Sequence, residues 1–299
     1  MNLIFLPQFD PVLFAFNVGG FNFALRWYAI SYILGFIVAW QWFLMLMRQP
    51  KLWPGGNPPM GTELPDRLLT WIIIGVIIGG RLGYALFYNP NHFLRNPLDV
   101  LAIWQGGMSF HGGLSGLVAA TWLFCRVNGI AVAGVADAIS IVALPGLFFG
   151  RIANFINNEL WGRPSEAPWA VVISSGDGSV CPPDWTAICA RHPSQLYEAL
   201  LEGVILCAIL SWLAYRRHWL HLPGQLTGLF FAGYGTARFV VEFFREPDGQ
   251  FLSADNPGGF VLQFGEWAGL TMGQALSVLM VLIGLTVIWT ARRHRRWIP

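Results

Sequence analysis

The chain has 299 residues, of which 55% are hydrophobic and only 11% charged, with 15 Trp and a formal net charge of +2. Soluble domains carry about 25% charged residues, so the composition excludes a soluble globular domain and indicates an integral membrane protein. The net charge itself says little, because in a membrane protein the placement of the basic residues along the chain carries more meaning than their sum; no nucleic-acid partner is expected.

The amino-terminal MNLIFLPQFDP lacks the basic region and small-residue cleavage pattern of a secretory signal, so the first span is expected to remain in the mature protein. A bilayer-length apolar segment needs about 20 residues. About seven occur, near 27–47, 68–88, 111–127, 135–154, 199–215, 225–244 and 272–291. The 55–59 stretch, GGNPP, reads as a turn. The connection 155–197 is long, holds Pro164, Pro168, Pro182 and Pro183 with several glycines, and is expected to form a small external subdomain. Within it WAVVI, 169–173, has the composition of a short strand. Pro193 should prevent a helix from starting much before Ser194, and Ser194 followed by Tyr197 and Glu198 suits a helix cap. The terminal RRHRRW reads as a topology anchor that meets anionic headgroups. The expected architecture is an all-α integral membrane protein of about seven transmembrane helices, one membrane-embedded domain over 1–299 with 155–197 as a head insertion.

Cys125 and Cys207 lie in apolar segments, where they read as small packing residues. Cys181 and Cys189 share a polar loop and can form a disulfide if that loop faces an oxidising compartment. No cysteine pair has histidine neighbours at metal-ligand spacing, so no metal is expected.

Arg48, Lys51, Arg67, Arg126, Arg216, Arg217, Arg292, Arg293, Arg295 and Arg296 fall on one side of the predicted spans, and Arg26, Arg95, Arg163, Arg191 and Arg245 on the other. The larger set marks the cytoplasmic side, which puts the amino terminus outside and the carboxyl terminus in the cytoplasm. The second, fourth and sixth spans then run outward, and Arg81, Arg151, Asn154, Tyr234 and Arg238 fall at mid-depth or in the outer half. Tyr28, His111 and the RHPSQLYE segment, 191–198, lead into inward-running spans from the same side, so the polar features converge on one outward-facing site.

The stretch 150–163, GRIANFINNELWGR, cannot be explained by hydrophobicity. An arginine at the centre of a membrane helix costs about 2.5–3.5 kcal/mol, and such residues by default mark a functional site in a bundle interior. Arg151, Asn154 and Asn158 fall on one helical face, with Gly146 and Gly150 open to a neighbouring helix, while Glu159 falls off that line. Gly162 with Arg163 and Pro164 ends the helix and can let a ligand approach the backbone. A guanidinium beside amides suits a phosphate headgroup, because its planar fork donates two parallel hydrogen bonds. Tyr234, Arg238 and Glu242 repeat the theme four residues apart, where an ion pair of purely structural value is the bland alternative. Arg81, with Tyr84 and Tyr88 on its stripe, suits packing and snorkelling as well as it suits ligand contact.

His111 lies in GGMSFHGG, 106–113, at the start of a span, where the helix dipole favours a neutral ring over a cation. A neutral imidazole is the form a general base requires. His192 is a second candidate, with loop fixing as its other role. No GxSxG elbow, P-loop or paired-carboxylate arrangement occurs.

FDPVLF at 9–14, RWY at 26–28, GGRLGY at 79–84, GGMSFHGG, GRIANFINNELWGR, RHPSQLYE and GYGTARFVVEFFREPD at 233–248 together resemble the prolipoprotein diacylglyceryl transferases, over nearly the whole chain. The resemblance implies a seven-span bacterial inner-membrane enzyme with a periplasmic head and no cofactor. It implies transfer of the diacylglyceryl group of phosphatidylglycerol to the lipobox cysteine of a preprolipoprotein, forming a thioether and releasing glycerol 1-phosphate. The family's essential residues carry over to Tyr28, His111, Arg151, Asn154, Glu159, Gly162, Tyr234, Arg238 and Glu242. The chain departs from the family pattern at Arg26, which stands in place of histidine, and in the loop 176–190. On chemical grounds His111 would take the thiol proton, Arg151 and Arg238 would hold the phosphate, Tyr28, Asn154 and Tyr234 would orient the headgroup, and Glu159 or Glu242 would fix an arginine. The rival reading is a transporter or flippase for an anionic lipid or small phosphate, which predicts polar residues continuing into the cytoplasmic half, where few occur beyond Asp137.

Overall fold

The computed structural model describes the chain apart from residues 1–3, 6–9, 11, 19–20, 174–180, 182–188, 248–250, 254, 266–267 and 296–299. Phe9 and Pro11 of the amino-terminal motif, Asp248, Arg296 and most of the 176–190 loop therefore lie outside the described residues.

All seven apolar segments are helical, as expected where no water is present to bond a backbone N–H or C=O that its own segment leaves unpaired. The helices are α1 (Trp27–Met47), α2 (Leu64–Phe87), the short α3 (Pro90–Arg95), α4 (Phe110–Val127), α5 (Val132–Val142), α6 (Leu144–Ile156), α7 (Ser194–Glu198), α8 (Leu206–Arg217), α9 (Gln225–Val241) and α10 (Met272–Arg295). Among the described residues, five helical runs are long and apolar enough to cross a membrane: Trp27–Met47, Leu64–Phe87, Val132–Ile156, Ser194–Arg217 and Met272–Arg293. The remaining two, α4 and α9, have 18 and 17 residues. The molecule is thus a mostly helical, multi-pass membrane protein.

Two spans depart from regular helix. The fourth is interrupted at Ala143, because Pro145 lies in the first turn of α6 and has no N–H to continue the ladder from α5. The fifth carries a π-helical run, Ala199–Ile205, between α7 and α8. Ser194 does not cap this span: it occupies the first helical position, and its hydroxyl donates to the carbonyl of Leu160 at 3.0 Å.

The all-α expectation needs correction at the ends of the bundle. Strands β1 (Ile4–Phe5), β2 (Val12–Val18), β3 (Phe21–Arg26), β4 (Val171–Val172), β5 (Ala190–Arg191), β6 (Phe260–Gly265) and β7 (Ala268–Thr271) form two hairpins, β2–β3 and β6–β7, and a small sheet ordered β1-β4-β5. Aromatic and β-branched residues on both sides of Gly19-Gly20 are a hairpin signal, and Val18 pairs with Phe21 accordingly. WAVVI does contain a strand. Its parallel partner is β1, so the 155–197 connection shares its sheet with residues near the amino terminus. Cys181 and Cys189 are joined by a disulfide, whereas Cys125 and Cys207 are free.

The backbone forms two compact units, one of Met1–Trp42 with Ile139–Pro299 and the other of Phe43–Ala138. In the second unit α2 and α4 approach backbone to backbone, since a Cβ at Gly79 would collide with the Gly112 carbonyl and the Cα of Gly116. Leu46, Trp53, Phe124 and Val135 are fully buried there. In the first unit α9 and α10 cross at Gly228 and Gly284, and α1 meets α6 where Gly35 faces Gly146. Gly150 has open space instead, so only Gly146 admits a neighbouring helix.

Candidate active site

The site in the first unit starts where α6 stops. Asn157 caps the helix, and Asn158 and Leu160 both adopt left-handed backbone, at φ 59° and 61°. That conformation is uncommon for asparagine and a true outlier for leucine, and it persists only where the surroundings over-determine it. Here Gln195 Nε2 donates to the Glu159 carbonyl at 2.6 Å and Ser194 to that of Leu160, while the Gly162 and Arg163 amides donate to the carbonyls of His192 at 3.0 Å and Phe244 at 2.8 Å. A Cβ at Gly162 would come within 2.6 Å of both those carbonyl oxygens, so this glycine is required by close backbone packing rather than left open for a ligand.

Arg151 and Asn154 share a face of α6, but Asn158 does not join them, because the helix has already ended. Glu159 folds back instead. Its amide donates to the Asn154 carbonyl at 3.1 Å, and its Oε1 accepts from the side-chain amides of Asn154 at 3.2 Å and Asn157 at 3.3 Å. Glu159 therefore fixes the amide of Asn154, not an arginine.

The arginines are fixed by other carboxylates. Arg151 Nη1 lies 3.0 Å from Glu198 Oε2, and its Nη2 lies 3.4 Å from Glu202 Oε2. Arg238 Nη1 lies 2.6 Å from Glu242 Oε2 and 3.6 Å from Glu198 Oε1, and Arg245 reaches Glu242 at 3.8 Å. Glu198 thus joins the guanidiniums of α6 and α9. The carboxylates are closed off, at 1% side-chain exposure for Glu198 and 0% for Glu202, whereas Arg151 and Arg238 keep 20% and 15%. The cationic faces are the accessible side of the cluster. Tyr234 bonds Arg151 through its side chain. Thr271 donates to Glu242 Oε1 at 2.9 Å, and a Cβ at Gly273 would meet the same carboxylate, so α10 backs the Arg238–Glu242 pair.

Tyr28 enters through a partner. The Tyr32 hydroxyl donates to the Tyr28 hydroxyl at 3.3 Å, their rings meet edge to face, and Tyr32 lies within the electrostatic reach of Arg151 and Glu159. Beside the cluster, Trp169 Nε1 donates to the Tyr197 hydroxyl at 2.7 Å, which is 3.0 Å from His192 Nδ1. Partial burial pushes the His192 imidazole below its ordinary pKa.

Arg81 and His111 belong to the second unit. His111 is exposed in the first turn of α4, where the Ser109 hydroxyl accepts the Gly112 amide at 3.2 Å as the cap. The Arg81 guanidinium is buried and donates to five carbonyls, those of Val100, Gly106, Gly107, Asp99 and Ala102, with Phe93 under its plane at 5.1 Å. All five of its N–H groups are thereby used, so of the two roles open for Arg81 the structure displays packing and gives no donor to a ligand.

Sequence reasoning passed over Glu198, Glu202 and Tyr32 as site residues. The signal for the two glutamates was present: LYEALLEGVIL, 196–206, places two carboxylates four apart in an otherwise apolar run. Among the described residues no group of three or more His, Cys, Asp and Glu side chains has the arrangement to hold a metal ion.

The sequence model of the prolipoprotein diacylglyceryl transferase family matches residues 12–290. A phosphatidylglycerol–prolipoprotein diacylglyceryl transferase of Cereibacter sphaeroides is 52% identical over 293 residues, which span 98% of this chain and 99% of that protein. Proteins of the same name from Ruegeria pomeroyi, 52% identical over 96% of both chains, and from Nitrobacter winogradskyi, 47% identical over 97% of this chain and 90% of the relative, are similar throughout. A family model that covers residues 12–290 and relatives about half identical from end to end place the chain in the prolipoprotein diacylglyceryl transferase family.

Proposed function

We propose that Arg151 and Arg238 hold the phosphate of phosphatidylglycerol while the lipobox cysteine of a preprolipoprotein attacks the glycerol carbon bearing that phosphate ester. The reaction is diacylglyceryl transfer: a carbon–sulfur bond forms, the carbon–oxygen bond to phosphate breaks, and glycerol 1-phosphate departs with the electron pair. A free thiol ionises only near pH 8.5, so about neutral pH its proton needs an acceptor. His111 takes that proton. The guanidiniums stabilise the charge growing on the departing phosphate, a role worth about 3 kcal/mol per donor in a dry, preorganised site. Tyr28, Asn154 and Tyr234 orient the headgroup, Glu242 fixes Arg238, and Glu159 with Gly162 shapes the turn that presents Asn154.

The observation that carries this reading is the pair of partly open guanidiniums meeting across Glu198. Arginine binds phosphate oxygens through strong, often bidentate, charge-assisted hydrogen bonds, so two guanidiniums close enough to share one carboxylate can also share a phosphodiester. Seven membrane crossings, a periplasmic head built around 155–197, an external amino terminus and a place in the bacterial inner membrane complete the proposal. Their support is the helicity of all seven apolar segments and the placement of the basic residues.

The purified protein, given phosphatidylglycerol and a synthetic lipobox peptide, is expected to yield thioether-linked diacylglycerol without any other protein. Failure to do so points to a scaffold or transporter instead. His111→Gln, followed across pH, is expected to lose most activity near neutrality and to regain part of it as the thiol ionises unaided. Near-normal activity at pH 7 removes the histidine from the mechanism.

A further inference from the structure

We infer that Glu202 is a positioning residue for Arg151, setting the plane of the guanidinium that grips the phosphate; this rests on the reading above that Arg151 holds the headgroup. Glu202 sits in the π-helical run Ala199–Ile205. Such segments are rare and occur frequently at functional sites, because the extra residue in the turn re-aims the side chains around it. The neighbouring Gly203 lies flush on α6, where a Cβ would come within 2.8 Å of Phe148 Cβ and 3.0 Å of Phe148 Cα. Phe148 and Arg151 are three residues apart on α6 and share a face. Contact at Gly203 therefore brings Glu202 alongside Arg151.

The burial of Glu202 makes an incidental role costly. The side chain is fully buried within a membrane-crossing helix, and its Oε1 has no hydrogen-bond partner among the described residues. A buried carboxylate is strongly unfavourable unless it is paired, and the ion pair that Glu202 makes is with Arg151. The two carboxylates divide the guanidinium between them, Glu198 at Nη1 and Glu202 at Nη2. With both terminal nitrogens held, the fork cannot rotate about its bond to the side chain. Its free N–H groups stay directed at the accessible side, where a phosphate would be met by donors already in place. Removing Glu202 leaves Arg151 charged but held at one end only.

The experiment uses the full-length protein in phosphatidylglycerol-containing vesicles with a lipobox peptide, with kcat and KM read against the lipid's mole fraction and folding followed by thermal melting. Glu202→Gln is expected to lower kcat about tenfold with KM little changed, the pattern of an interaction that matters in the transition state. Glu202→Asp, which keeps the charge, is expected to retain more activity than Glu202→Gln. Because Glu202 acts through Arg151, combining Glu202→Gln with Arg151→Lys should cost little beyond Arg151→Lys alone. If Glu202→Gln melts far below the parent protein, Glu202→Asp with and without Arg151→Lys provides the same comparison. Parental kcat in Glu202→Gln, or losses that add in full in the double variant, overturns the inference while leaving Arg151 in its role. Full activity in Arg151→Gln instead sinks the headgroup reading itself.

Discussion

Arg81 and Arg151 both sit in bilayer-length apolar helical runs, Leu64–Phe87 and Val132–Ile156, where a charged side chain must find partners. Arg81, 4% exposed, does so with neutral partners: five backbone carbonyls take all its N–H groups and an aromatic ring lies under its plane. Arg151 does so with two buried carboxylates and keeps part of its side chain accessible. Carbonyls are bound to the backbone and cannot be exchanged, so Arg81 ties the 99–107 segment to its helix. Carboxylates neutralise a guanidinium while leaving N–H groups free, and an incoming phosphate can compete for them. An apolar helical run is common to both arginines, and the partners separate them: Arg81 has spent its donors, whereas Arg151 keeps an accessible face for the anion proposed above.

This contrast is broken most directly at the partly open pair, Arg151 and Arg238. Arg151→Lys and Arg238→Lys, which keep a positive charge beside the buried carboxylates, are each expected to lower kcat by about 10²–10³, because a point charge does not reproduce the planar fork of preorganised donors, while the protein still purifies folded. A loss of folding instead of turnover would make these arginines structural like Arg81. Arg81→Gln should do the reverse. It leaves several buried carbonyls unpaired, each worth about 1–3 kcal/mol, so the melting temperature should fall sharply while the molecules that remain folded keep their kcat. A variant of normal stability with raised KM for phosphatidylglycerol would move Arg81 to the binding side of the comparison.

The smallest expected effect concerns His192, on the backbone strip that holds the strained turn. Burial lowers its folded-state pKa below the unfolded value of about 6.5. The unfolded chain therefore binds the proton more readily, and stability should fall as pH drops through that value. Melting followed from pH 8 to pH 5 should show an acid-side decline that is weaker in His192→Gln. An identical decline in both proteins assigns it to other groups.

Much of the fold was legible because a membrane-crossing helix must be apolar over its whole length, and α1 begins and ends where the hydrophobic run does. Arg151, Asn154, Tyr234, Arg238 and Glu242 were legible for the converse reason, as polar groups in stretches that should contain none. Sequence alone marks Glu198 only as part of a helix start and does not single out Glu202, because the significance of both lies in what faces them from α6 and α9. The hairpins at 12–26 and 260–271 were missed because their residues are as apolar as the helices they adjoin.

Local composition, then, determined which segments enter the membrane and which side chains are too polar to be there by accident, since the transfer of each group from water depends on that group alone. It could not determine which carboxylate neutralises which guanidinium, whether Glu159 serves an arginine or an asparagine, or that Arg81 exhausts its donors on carbonyls. Those outcomes depend on distances of about 3 Å between residues far apart in the chain, which come into being only when the helices pack.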